Sequence, residues 1–88
     1  MAGHVKLQYY PLVLPANATT TLVNSSIGGL FCTGGGTFTI NALTEQGALV
    51  PVVSFTGVAG TWYFLPFYLG ANGGNIVTGA GATGTLAT

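Results

Sequence analysis

Thr37-Phe38-Thr39-Ile40-Asn41-Ala42-Leu43 alternates polar and apolar side chains without a break, and a repeat of two is that of a strand with one buried face. Phe38, Ile40 and Ala42 fall on one side; Thr37, Thr39 and Asn41 fall on the other, as hydroxyls and an amide only. Related runs recur along the chain, each closed by Gly, Pro or Asn. His4-Val5-Lys6-Leu7-Gln8-Tyr9 alternates in the same way. Leu12-Val13-Leu14 lies between Pro11 and Pro15, which places it at a sheet edge or at a crossing between sheets, because proline donates nothing to a ladder. Thr19-Thr20-Thr21-Leu22-Val23 runs into the turn composition Asn24-Ser25-Ser26. Gly28-Gly29 precedes Leu30-Phe31-Cys32, and Gly34-Gly35-Gly36 ends that run.

After the turn Thr44-Glu45-Gln46-Gly47, residues 48–55 read as a more fully buried strand in which Pro51 marks a bulge or an edge. Residues 61–69 follow, then the turn cluster Gly70-Ala71-Asn72-Gly73-Gly74 and a weaker strand at Asn75-Ile76-Val77-Thr78. The segment 79–88 holds only Gly, Ala, Thr and Leu and is either a last edge strand or a flexible tail. No window reads as an amphipathic helix. About seven or eight short strands at intervals of roughly 8 to 12 residues predict an all-β domain over residues 1–88. Proline inside several strands favours a β-sandwich or jelly roll with managed edges over a closed barrel.

Residues 48–69 are uncharged and long enough to span a bilayer. Pro51, Gly57, Gly60 and Pro66, with β-branched Val and Thr, make them poor helix formers, and no flanking Lys or Arg would set an orientation. Residues 1–7 lack a basic stretch followed by an apolar run, so no secretory signal is read there. The triplets Asn17-Ala18-Thr19 and Asn24-Ser25-Ser26 match the glycosylation pattern, which Ser/Thr-rich chains produce by chance.

Function is constrained mainly by what is missing. The 88 residues include one Lys or Arg, one Asp or Glu and one His, and hydrophobic residues make up 49%. General acid–base work by paired carboxylates is impossible with Glu45 alone. His4 is the only base that could serve Cys32 or a serine, so no enzyme is expected. Structural zinc wants four Cys or His ligands, and His4, Cys32 and Glu45 do not supply them; no metal and no cofactor are expected. Lys6 alone cannot neutralise phosphates, which excludes nucleic acid. The Gly-rich stretches lack the lysine and helix context of phosphate loops and read as turns.

A domain of this size buries only roughly 60 to 65% of its unfolded surface and usually needs disulfides, metals or oligomerisation. One cysteine forbids an internal disulfide, so association is what remains. Five aromatics fall within the seven positions 62–68. Alternation sends Trp62, Phe64 and Pro66 to one face and Tyr63, Leu65 and Phe67 to the other. Both faces are apolar. A central strand covered on both sides within one subunit would show this pattern, but in so short a chain a contact surface is the expected reading. Trp and Tyr are the residues most enriched where proteins anchor partners. The candidate assembly interface is therefore Trp62, Tyr63, Phe64, Phe67 and Tyr68, joined by Tyr9 and Tyr10. Attachment is expected through apolar burial and backbone pairing at strand edges, with little response to salt.

The Gly/Ala/Thr/Val/Asn texture, the block Gly60-Thr61-Trp62-Tyr63-Phe64-Leu65-Pro66-Phe67-Tyr68 and the segment 79–88 resemble small structural proteins of tailed bacteriophage virions, nearest to head decoration or cement proteins. The resemblance is one of composition across the chain. It implies a compact β-domain, commonly trimeric, that is made in the host cytoplasm, binds the major capsid protein where capsid subunits meet and secures the shell of the virion. Such proteins often carry more charge on the solvent side than this chain can. The alternatives are a surface or secreted self-assembling β-protein, such as a fibre or adhesin, and a small membrane protein.

Overall fold

Nearly every run closed by Gly, Pro or Asn becomes a strand. The structure, a computed structural model, describes residues 11–23, 25–69 and 72–88. Within them lie eight strands: β1 (Pro11–Leu14), β2 (Thr19–Leu22), β3 (Ser25–Gly34), β4 (Gly36–Leu43), β5 (Leu49–Gly57), β6 (Trp62–Leu69), β7 (Gly74–Thr78) and β8 (Thr83–Ala87). There is no helix among the described residues. The alternating segment at residues 4–9 lies outside the described residues.

The strands form two four-stranded sheets. Sheet A has the order β1-β8-β3-β6 and sheet B the order β2-β7-β4-β5, with all neighbours antiparallel. The first strand thus pairs with the last, the second with the next to last, β3 with β6 and β4 with β5. This is one long hairpin, tipped by the β4–β5 turn, rolled up so that its paired strands fall alternately into two sheets. An eight-stranded double sheet of this order is a jelly roll, so the all-β sandwich reading holds.

Alternation decides which residues form the core between the sheets. Leu14, Ile27, Leu30, Cys32, Leu65, Leu69 and Leu86 from sheet A meet Leu22, Phe38, Ile40 and Ile76 from sheet B. Phe38 stacks on Phe55 with ring centres 5.6 Å apart, and Phe55 meets Tyr63 at 4.7 Å, so an aromatic chain runs from β4 through β5 to β6 and ties sheet B to sheet A. No buried side-chain nitrogen or oxygen among the described residues lacks a hydrogen-bond partner. The one buried polar residue among the described residues, Thr78, fastens the loop that carries the chain from sheet A to sheet B. Its hydroxyl donates to the Pro15 carbonyl at 2.5 Å and accepts from the Ala18 N–H at 3.0 Å.

Three expectations need correcting. Residues 49–57 are mostly exposed, because β5 is the edge of sheet B and has one neighbour. Pro51 does mark an edge and a bulge: Ile40 pairs with Val53 and Asn41 with Pro51, leaving Val52 extra. The segment 79–88 supplies β8, which lies between β1 and β3 in the middle of sheet A instead of at an edge. Its small residues suit that place, since a side chain at Gly84 would meet Leu30 Cδ1 at 2.8 Å. Ser25-Ser26 and Gly28-Gly29, read as turn and punctuation, belong to the ten-residue strand β3. Gly28 there faces the two-residue bulge Leu65-Pro66 of β6.

Candidate functional site: the outer face of sheet A

Strand β6 is the far edge of sheet A, and its burial alternates along its length. Tyr63, Leu65, Phe67 and Leu69 turn inward, while Trp62, Phe64, Pro66 and Tyr68 turn outward. Tyr63 and Phe67 pack against the core. The Tyr63 hydroxyl also accepts the Val58 N–H at 2.9 Å, closing the loop between β5 and β6. These two aromatics of the candidate interface hold the fold together. Trp62, Phe64 and Tyr68 are 52, 73 and 69% exposed. Tyr9 and Tyr10 lie outside the described residues.

The register extends the outward aromatics into a surface four strands wide. One cross-strand row reads Val13, Thr85, Phe31, Trp62 and the next reads Pro11, Ala87, Gly29, Phe64. Sequence reasoning missed Val13 and Phe31, which are 73 and 42% exposed. The available signal was their parity: Leu12 and Leu14, like Leu30 and Cys32, point to the core, so the residues between them point out. With strands roughly 4.8 Å apart the rows span about 14 Å.

Gly29 shapes this surface. A Cβ there would collide with the Trp62 ring at Cζ2 and lie 2.6 Å from the Tyr63 carbonyl oxygen. The missing side chain lets the indole lie down over β3. The outward aromatics therefore form a low apolar pavement, with the Thr33–Thr83 hydroxyl pair, 2.9 Å apart, at one end.

The electrostatics are simple. Glu45, exposed in the β4–β5 turn, is the only charged side chain among the described residues. Cys32 is buried, with its thiol donating to the Gly34 carbonyl at 3.2 Å. Among the described residues no three of His, Cys, Asp and Glu gather to hold a metal, and no helix is long and apolar enough to cross a membrane. What this surface can do chemically is exclude water from an apolar contact.

No protein-family model, no curated protein and no solved structure matches this chain.

Proposed function

We propose that this chain is a non-enzymatic structural subunit of a virus particle, of the capsid decoration or cement kind, whose associations run through the outer face of sheet A. One observation carries the reading: Trp62, Phe64, Tyr68, Phe31 and Val13 share one outward face, which gathers all the large exposed aromatics among the described residues. Exposed apolar surface of this extent, without charge, marks a place of contact. The residue inventory supports a role without catalysis, since the whole chain holds one Lys or Arg, one Asp or Glu and one His. Jelly rolls build viral coat domains, and also lectins and cupins, so the fold is compatible with the particle reading while the surface argues for contact.

The fibre reading fares less well on a specific observation. Growth of a β-fibre needs open edges, and Pro11, Pro51 and Pro66 each stand in an edge strand, the last two at bulges. The fourth edge strand, β2, is four residues long. On this reading contact between copies runs through the face, and the edges grow no fibre.

The experiment is to follow the chain, by a specific antibody, through density-gradient fractionation of lysates in which its gene is expressed in its natural context. It is expected to band with particles and to stay there in molar salt. Finding it only in the non-particulate fractions would sink the particle reading.

A further inference from the structure

We propose that the outer face of sheet A packs against the same face of a second copy of this chain, about a two-fold axis, to close a dimer. The inference rests on the contact-subunit reading above and names a second copy as the occupant of that surface, so that the unit taken up by a particle is the dimer.

Area comes first. The exposed fractions of Phe31, Trp62, Phe64 and Tyr68, 42, 52, 73 and 69%, amount to somewhat more than two whole aromatic side chains. At about 200 Å² each this gives roughly 470 Å². Val13, Pro11 and Pro66 bring the face to about 600 Å², and two copies reach roughly 1,200 Å², where specific interfaces begin. The face is also self-complementary. In a two-fold contact each side chain meets a symmetry mate from the same patch, so a charged patch repels itself. Rows of Val13, Thr85, Phe31, Trp62 and of Pro11, Ala87, Gly29, Phe64 present no charge to repel.

The relief of the face fits a second copy as well. Ala87 and Thr85 leave a low strip along β8, flanked by Val13 on one side and by the aromatics of β3 and β6 on the other. Sheets packed face to face about 10 Å apart interdigitate tall and short side chains. A two-fold axis running between β8 and β3 seats the Phe31 ring of each copy over the β8 strip of the other and sets the β6 aromatics against Val13 and Pro11 of its β1. The edges supply the last argument: proline and bulges oppose strand addition, so the surface left for a second copy is the face, and a face used in this way admits two chains and stops.

The test uses sedimentation equilibrium together with the emission of Trp62, the only tryptophan in the chain. Expected for the natural chain are a mass of twice 8.8 kDa, little change in molar salt, and indole emission that moves to the blue and resists acrylamide as concentration rises. Phe64→Lys, shown to be folded by far-UV circular dichroism, should dimerise at least about 100-fold more weakly and keep Trp62 exposed. Ser54→Lys on the opposite sheet should leave the dimer unchanged. If Phe64→Lys does not fold, Val13→Lys at the other edge of the face takes its place with the same expectation. A monomer at every concentration, a trimer or larger species, or a dimer that survives the folded lysine variant would overturn the proposal. So would Trp62 protected by microcrystalline cellulose or chitin but not by concentration, which would assign the face to flat polysaccharide. A monomer that still bands with particles would remove the dimer and keep the particle reading. A dimer never found on particles would do the reverse.

Discussion

The two outer faces of the sandwich share one backbone geometry and carry opposite chemistries. On sheet A the cross-strand rows are Val13, Thr85, Phe31, Trp62 and Pro11, Ala87, Gly29, Phe64. On sheet B they are Thr19, Val77, Thr39, Ser54 and Thr21, Asn75, Asn41, Pro51. Sheet B settles its polar groups within the sheet: the Thr39 and Ser54 hydroxyls are 2.9 Å apart, and the Asn41 side-chain amide Nδ2 donates to Asn75 Oδ1 at 2.8 Å. Its exposed large apolar side chains, Leu49, Val50 and Val52, lie along the β5 edge and include no ring. Sheet A has no comparable internal settlement for its aromatics. A nearly uncharged chain therefore still has two sides, distinguished by whether the outward side chains satisfy one another.

The difference can be broken most severely at its aromatic end. Replacing both Trp62 and Phe64 by alanine should weaken self-association by about 2 kcal/mol or more. Unfolding free energy should move far less, because neither ring is in the core; equal losses in sedimentation and in urea unfolding would erase the distinction between the faces. Gly29→Ala should come next, at roughly 1 to 3 kcal/mol of stability, since the new methyl must displace the indole and a backbone oxygen. A changed Trp62 emission at low denaturant would accompany it. On the polar side, Asn41→Ala should lower stability by about 1 kcal/mol in denaturant titrations while leaving the association constant where it was. Thr39→Val, which removes one hydroxyl pair, should change stability by roughly 0.2 to 1 kcal/mol and association not at all. Molar salt should have the smallest effect, because screening acts on charges that these faces lack. Dissociation by salt would show that ion pairs hold the assembly.

How much of this was legible depended on side-chain size. The β4 strand could be read from Phe38 and Ile40 alone. Trp62, Phe64 and Pro66 were correctly separated from Tyr63, Leu65 and Phe67 by parity, but parity does not say which set turns to water. That was decided by tertiary partners, the ring contact of Phe55 with Tyr63 and the hydrogen bond from Val58. Leu49, Val50 and Val52 looked like core because apolar content cannot distinguish an edge strand from a central one. The opposite error befell β8, whose Gly and Ala looked like slack; small side chains are what the crowded middle of sheet A accepts, and only Leu86 announced a strand. Gly29 gave no sign in sequence of the ring lying over it.

The rolled hairpin also ties the contact face to the longest-range pairing in the fold. Sheet A is joined across its middle by β8, the strand between β1 and β3. Pairing the earliest strand with the latest makes the fold strongly nonlocal, and nonlocal β topologies fold slowly. The rows of the aromatic face run through β1, β8, β3 and β6, so that face exists only once this longest-range pairing is made. A chain still folding does not present the finished contact surface.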